Sequence, residues 1–139
     1  MGKIQRFGVS LDSSLLKKFD GLLSEIGYKS RSEAIRDLIR ERLVSEEWRK
    51  GDEETIGILG LVYSHEKRQL AENLNRLQHK YLGLIISSNH IHLDKHNCLE
   101  VVILKGKGFA IKEVSDKLLS TKNVKHGQLL MTTTGKEIQ

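Results

Sequence analysis

The first fifty residues carry the pattern of one short strand followed by two helices. Apolar and polar side chains alternate from Ile4 to Leu11, which is typical of a half-buried strand. After Asp12, a suitable N-cap, apolar residues recur at intervals of three and four, as on one face of a helix, and Gly27 can end that helix. The apolar positions on this face are Leu15, Phe19, Leu22 and Ile26.

A second helix is predicted from Ser30 to about Trp48. Ser30 and Glu33 have the spacing of a capping box, and an apolar stripe follows them at Ile35, Leu38, Ile39 and Leu43. One strand and two amphipathic helices cannot close a core, because the strand has unpaired backbone groups on both edges and the helices have little to cover. We therefore expect an obligate dimer in which two copies pair their strands into an antiparallel ribbon.

The order of one strand and two helices resembles the DNA-binding ribbon-helix-helix family. In such a ribbon Arg6, Gly8 and Ser10 form the outward face. A two-stranded ribbon fits the major groove, where an arginine reaches guanine O6 and N7 and a hydroxyl serves several bases. Gly8 has no hydroxyl for such a contact, so the operator sequence is not predicted. The alternative is an exposed strand face without function.

Residues 51 to 139 carry the pattern of a second α+β module. The stretch Gly51-Asp52-Glu53-Glu54 breaks the helical pattern and predicts a short polar linker, with domains at 1–50 and 51–139. Beyond it the predicted order is βαββαβ, as in ferredoxin-like or ACT domains. The predicted strands cover residues 55–63, 84–93, 98–105 and 128–132, and the predicted helices run from a cap at Ser64 to about Tyr81 and from about Phe109 to Ser120.

A group of candidate metal ligands lies in this second module. On a strand, His90 and His92 project from the same side with their Cα atoms about 6.5 to 7 Å apart, which lets both rings bind one ion. The only cysteine, Cys98, follows His92 by six residues, and His79 precedes His90 by eleven. A tetrahedral set of these donors suits Zn, whereas a planar set suits Ni(II) or Cu(II). The alternative is two solvated histidines and a structural cysteine.

Composition and charge narrow the function only modestly. The 139 residues are 38% hydrophobic, which allows a modest core, and a formal charge of +5 is compatible with nucleic acid. No apolar run reaches the roughly 18 residues needed to cross a bilayer, so a cytoplasmic protein without a membrane partner is expected. Four protein ligands would close a metal site, and no Ser-His-Asp pattern is evident, so an enzyme is not expected.

Several motifs together resemble the nickel-responsive transcriptional regulator family over nearly the whole chain. They are Gly27-Tyr28, Arg31-Ser32-Glu33-Ala34-Ile35-Arg36-Asp37, His65-Glu66-Lys67-Arg68, Gln78-His79, His90-Ile91-His92, Asn97-Cys98-Leu99-Glu100 and Val124-Lys125-His126-Gly127. The resemblance implies a homotetramer, a dimer of dimers, that binds a palindromic operator in double-stranded DNA and represses nickel uptake genes. It also implies one Ni²⁺ per subunit, bound by His90, His92 and Cys98 of one subunit and His79 of a neighbour.

The same resemblance implies roles for further residues. Lys67 and Arg68 match a pair that contacts the DNA backbone once metal is bound, with ordinary solvated helix charges as the alternative. Glu33 and Asp37 match carboxylates that hold a second cation, often K⁺. The residues expected to orient the metal ligands are Tyr63, His65 and Glu100.

Two other functions share parts of this pattern. A ribbon-helix-helix regulator could sense another transition metal or a small molecule through its ACT-like module, in which case the His and Cys cluster would be dispensable. A metal-storage protein without DNA binding would leave the Arg6 face unexplained. His96 is expected to be exposed or a weak additional metal site, and His126 receives no role.

Overall fold

The computed structural model describes residues 2–139 and divides into two compact units. The first runs up to Leu43 and includes Ile138–Gln139, and the second is Val44–Glu137. Helix α1 spans Ser13–Ile26 and helix α2 spans Arg31–Lys50. Among residues 2–139, no helix combines the length and the apolar character that a membrane span requires.

The predicted ends of the first helix are confirmed. The side chain of Asp12 accepts a hydrogen bond from the amide of Ser14 at 2.8 Å, and Gly27 ends α1 in the left-handed region with φ 93°. The capping box of α2 is formed in a modified way. The Glu33 amide donates to Oγ of Ser30 at 3.2 Å, while the Glu33 carboxylate accepts from the amide of Lys29 at 3.2 Å.

The segment from Ile4 to Leu11, predicted to be a strand that pairs between two copies, is not a strand in the single chain. This segment precedes α1 without helix or strand structure, and its apolar side chains are exposed, Ile4 to 89% and Phe7 to 72%. A strand forms only when a second strand accepts its ladder of hydrogen bonds, and the described part of the first unit contains two helices and no partner strand.

The second unit is a four-stranded antiparallel sheet with two helices, and it confirms the predicted βαββαβ order. Its elements are β1 Glu54–Ser64, α3 Arg68–Lys80, β2 Ile85–His92, β3 Asn97–Lys107, α4 Gly108–Leu119 and β4 Val124–Met131. The sheet order is β2-β3-β1-β4. Alternate residues of β1 and β3 are buried and pack with both helices in one core, which includes Leu59, Leu61, Leu74, Val102, Leu104, Ile111 and Leu118.

Two predicted boundaries in this unit require correction. Ser64 does not cap α3, because β1 continues to Ser64 opposite Asn97 and the helix begins only at Arg68. Strand β4 begins at Val124 rather than at Gln128, because its pairing with β1 extends as far as Tyr63. Both differences arise because β1 is paired on both sides nearly to its end.

The segment predicted as a polar linker is packed within the second unit. Gly51 is buried with φ 74°, and its carbonyl accepts a hydrogen bond from the amide of Phe109 at 3.0 Å. The indole N–H of Trp48 donates to the Thr132 carbonyl at 2.8 Å, and the Thr55 hydroxyl donates to the same oxygen at 2.7 Å. The last turns of α2 therefore belong to the sheet module.

Candidate metal centre

The candidate metal ligands meet at the end of the sheet where β2 turns into β3. His92, the last residue of β2, lies opposite Cys98 on β3. On the other side of β3, Cys98 lies opposite Tyr63 near the end of β1. Cys98 is on a central strand, and its side chain is fully buried in the core of the unit.

The turn between β2 and β3 is organised by Asp94. Its Oδ1 atom accepts hydrogen bonds from the amides of His96 at 2.7 Å and Asn97 at 2.8 Å. Hydrogen bonds from the Asn97 side chain, together with these amides, lower the pKa of Asp94 to about 2. The carboxylate therefore remains charged at neutral pH and keeps the turn closed between His92 and Cys98.

Three donor atoms converge beside this turn, one each from His65, His92 and Cys98. They lie within 4.8 Å of one another. Sγ of Cys98 is 3.5 Å from Nδ1 of His65 and 3.6 Å from Nδ1 of His92. His65 is expected from the sequence only to orient the ligands, yet it lies as close to the sulfur as His92 does. Two imidazoles and a thiol are donors that suit Ni, Cu and Zn.

His90 lies next to this cluster with one ring nitrogen already engaged. Its ring centroid is 4.8 Å from that of His92. Nδ1 of His90 is 2.9 Å from the Tyr63 hydroxyl and 3.2 Å from Oε2 of Glu100. Since the Tyr63 hydroxyl donates to the same carboxylate at 3.2 Å, it accepts from His90, and Nδ1 carries the hydrogen. Nε2 of His90 then keeps the lone pair that can bind a metal.

Glu100 is the centre of this polar network and is only 8% exposed. Besides Tyr63 and His90, its carboxylate accepts from the Ser88 hydroxyl at 2.5 Å and from the Gln78 amide at 3.3 Å. Burial raises the pKa of Tyr63, and the charge of Glu100 raises it further, so the phenol remains a hydrogen-bond donor. The sequence predicts no role for Gln78 or Ser88, although Gln78 lies in one of the motifs of the family resemblance. The two-residue spacing of Ser88 and His90 on β2 is the signal that could have identified Ser88.

The surroundings of Cys98 favour the protonated thiol at neutral pH. Burial raises the pKa of this thiol, and the carboxylates of Glu100 and Asp94 raise it further. Metal ligation requires the thiolate, so a bound metal must displace this proton.

His79 is not part of the three-donor cluster. It is exposed on the last turn of α3, whereas its neighbour Gln78 is turned toward Glu100. Successive residues of a helix are rotated by about 100°, so the two side chains leave α3 in different directions. The imidazole of His79 is thus accessible to another molecule.

The residues predicted to contact DNA are all exposed. Arg6, Gly8 and Ser10 lie in the segment before α1, and Lys67 and Arg68 lie at the beginning of α3. The Arg68 side chain is 94% exposed, with a weak 3.8 Å ion pair to Glu72.

The two carboxylates predicted to hold a second cation have partners within the first unit. The Glu33 carboxylate accepts from the backbone amide of Lys29, and Asp37 accepts from the Tyr28 hydroxyl at 2.8 Å. Asp37 also forms a 3.4 Å ion pair with Arg40. A K⁺ ion at this position would have to share both carboxylates with these groups, and its binding stays a prediction.

Comparisons with known proteins cover both units. The family model described as ribbon-helix-helix protein, copG family, matches residues 5–46, and the model described as NikR C terminal nickel binding domain matches residues 56–132. A protein from Pyrococcus furiosus that is named as a nickel-responsive regulator is 55% identical to this chain over 135 residues. The match covers 97% of this chain and 98% of the relative. Another from Thermococcus kodakarensis is 56% identical over 136 residues, covering 98% and 99%.

A third relative with the same name, from Geobacter sulfurreducens, is 54% identical over 138 residues and covers 99% of both chains. Among solved structures, an uncharacterized protein from Thermotoga maritima matches with a TM-score of 0.51 and 19% identity. That match covers 56% of this chain and 96% of the other, and it supports the fold alone.

Proposed function

Since the chain belongs to the family of nickel-responsive transcriptional regulators, we propose how its residues hold the metal and read DNA. The protein is a ribbon-helix-helix DNA-binding regulator with a nickel-binding module, and it is not an enzyme. We propose that one Ni²⁺ per subunit is bound by His90, His92 and Cys98 of one subunit and by His79 of a neighbour. The regulator acts in the cytoplasm, where the bound ion strengthens its binding to the operator and thereby represses genes for nickel uptake.

The orientation of the His90 ring supports this ligand set most directly. Its Nδ1 is held by Tyr63 and Glu100, so its Nε2 is free on the side of the ring away from these two groups. His92 and Cys98 already lie 3.6 Å apart at Nδ1 and Sγ. These three groups supply donors from one chain, and the exposed His79 is available as a fourth donor from another copy.

The pairing of two copies is supported by the exposed apolar surface of the first unit. This surface is formed by Ile4, Phe7, Val9, Leu11, Leu15, Leu22, Ile26, Leu38, Ile39 and Leu43. Monomeric proteins rarely expose large apolar patches, whereas ten large apolar side chains are exposed in this unit. We propose that the segments from Ile4 to Leu11 of two copies form the ribbon that the single chain lacks, with Arg6, Gly8 and Ser10 facing the major groove.

A metal held between subunits gives a mechanism for regulation. An ion with ligands from two chains contributes binding energy only when those chains are correctly arranged. Nickel therefore favours one arrangement of a homotetramer, a dimer of dimers, over the others. By linkage, DNA that binds this arrangement and nickel strengthen each other's binding. A palindromic operator in double-stranded DNA matches the two-fold symmetry of paired ribbons.

The test is a titration with Ni, Co, Cu and Zn, with binding to duplex DNA as the readout. Because the operator is unknown, duplexes are first selected from a random pool with the nickel-loaded protein. We expect nickel to increase DNA affinity, and Cu(II) to compete strongly because it is highest in the Irving–Williams order. Equal affinity for DNA with and without metal would favour a regulator that senses a different ligand.

Substitutions separate the ligand set from the DNA face. Cys98→Ser should abolish the sulfur-to-nickel charge-transfer absorption, whereas Arg6→Ala should remove DNA binding and leave nickel affinity unchanged. His79→Ala should weaken nickel binding more than His65→Ala does. If the order of the two histidine variants is reversed, the three-donor cluster with His65 is the nickel site instead.

A further inference from the structure

Two loops at one end of the second unit are joined by His96. The amide of His65 donates a hydrogen bond to the His96 carbonyl at 2.6 Å. The ring Nδ1 of His96 donates to Oε1 of Glu66 at 2.5 Å, since a carboxylate can only accept. These bonds connect the loop between β1 and α3 to the turn between β2 and β3.

The joined loops carry different parts of the proposed function. The turn lies between His92 and Cys98, two of the proposed nickel ligands. The loop leads directly into Lys67 and Arg68, the proposed contacts to the DNA backbone, and the Arg68 amide donates to the Glu66 carbonyl at 3.1 Å. The position of both basic residues thus depends on a residue that His96 holds.

The two sides of this connection differ in how well they are fixed. The turn is closed by Asp94, and Lys125 donates to the Asn97 side chain at 2.5 Å from β4. In the loop, Lys67 occupies the N-cap position of α3 without a side-chain hydrogen bond to the helix. The loop therefore lacks the side-chain cap that ordinarily fixes a helix start, and the hydrogen bond of Glu66 to His96 holds the loop to the turn instead.

We propose that His96 is a positioning residue that transmits the arrangement of the metal-bearing turn to Lys67 and Arg68. The inference rests on the proposed function, because it takes these two side chains as DNA contacts. The side chains of His96 and Glu66 are each 64% exposed, so the contact between them adds little to the stability of the fold. Its effect is to restrict where the loop can lie.

The experiment compares His96→Ala with two other variants. In His96→Asn the amide group places a donor near the former position of Nδ1, and in His126→Ala the same truncation is made at an exposed histidine on β4. Nickel affinity is measured by charge-transfer absorption, and DNA affinity is measured over a series of salt concentrations. Each lost phosphate contact lowers the steepness of the salt dependence by about one unit in the slope of log K against log salt.

We expect His96→Ala to retain nickel affinity and to weaken nickel-dependent DNA binding. The salt slope should fall by about one to two units for each subunit whose Lys67 and Arg68 lose their phosphate contacts. His96→Asn should recover most of the loss, and His126→Ala should match the wild type. In a Lys67→Ala, Arg68→Ala background, His96→Ala should cause no further loss, because the side chains that it positions are absent.

An equal loss from His96→Ala in both backgrounds would overturn the inference, since His96 would then act by another route. Unchanged DNA affinity in His96→Ala, with normal nickel-dependent binding by the wild type, would overturn this inference alone. If the wild type itself bound DNA equally with and without nickel, the proposed function would fail and the inference with it.

Discussion

The carboxylate of Glu100 accepts a hydrogen bond from Nδ1 of His90 at 3.2 Å. Its other oxygen accepts from Gln78 on α3, which precedes His79 in the chain. One buried carboxylate thus orients a ligand of the chain's own proposed nickel site and also contacts the helix that carries His79, the ligand proposed for a neighbour's site. Glu100 is therefore placed to connect two nickel sites within the proposed tetramer.

Replacing Glu100 by Gln should lower nickel affinity by about 10-fold to 100-fold, the usual cost of losing a group that orients a metal ligand. Glutamine replaces one of the two acceptor oxygens by an NH2 group, so it cannot accept from Tyr63 and His90 on one side and from Ser88 and Gln78 on the other, and the support of the His90 ring is weakened. Competition with a chelator measures the affinity. Glu113→Gln, on the exposed side of α4, is the matched control, and wild-type affinity in Glu100→Gln would show that His90 needs no such support.

Nickel affinity should rise with pH through the neutral range. The pKa of the Cys98 thiol is raised by burial and by nearby carboxylates, so the thiol still carries its proton there. Each displaced proton makes the apparent association constant about tenfold larger per pH unit, up to the pKa of the group that loses it. Affinity should therefore level off only above the thiol pKa. Chelator competition and proton release, measured in weak buffer, check this expectation, and a flat profile would mean that Cys98 is already a thiolate.

Most of the second unit could be predicted because its strands and helices pair within one chain. Strand β1 already shows in the sequence as an apolar run from Ile56 to Val62, and the structure buries one face of it, which includes Leu59 and Leu61. The segment from Ile4 to Leu11 alternates clearly, but the described part of its unit contains no strand that could pair with it. A periodic pattern predicts the face that will be buried and does not supply the surface that buries it.

The candidate site could be predicted only where ligands are close in sequence. The two-residue period puts the rings of His90 and His92 on one side of β2, and their centroids are 4.8 Å apart. The approach of His65 to Cys98 depends instead on the register of β1 with β3, which brings Ser64 opposite Asn97. The register between strands that are distant in sequence is set by packing of the whole core, so it cannot be predicted from the local spacing of residues.

Gly127→Ala should destabilise the second unit by about 1–3 kcal/mol through overpacking. A Cβ atom at Gly127 would lie 2.8 Å from the Gly60 carbonyl oxygen and would also meet the Leu119 side chain, so β4 would have to move away from β1. Thermal unfolding measures the loss. Gly83→Ala is the control, because a Cβ atom there meets nothing within 4 Å. Equal stability of the two variants would mean that β4 approaches β1 less closely than described.

Nickel should stabilise the second unit against unfolding in a way that Trp48 reports. Trp48 is the only tryptophan of the chain, and its indole packs beside Gly57 and Gly108 within this unit. Gly57 is six residues from Tyr63 along β1, which corresponds to about 20 Å, so a nickel ion at the far end should quench the indole little. Its fluorescence therefore follows unfolding of the metal-binding module rather than binding of the metal itself.

A ligand that binds only the folded state adds RT ln(1 + [L]/Kd) to stability, about 2.7 kcal/mol when free nickel is 100 times the Kd. We expect nickel to raise the temperature of the unfolding transition that Trp48 fluorescence reports. The transition should return to its original temperature when a chelator removes the nickel. Cys98→Ser should reduce the shift, because fewer ligands then distinguish the folded from the unfolded chain. A shift that grows with protein concentration at fixed free nickel would further indicate that the metal joins subunits, since only then does assembly share in the stabilisation. A shift independent of protein concentration would instead mean that each chain binds nickel with its own residues, as the cluster of His65, His92 and Cys98 could do.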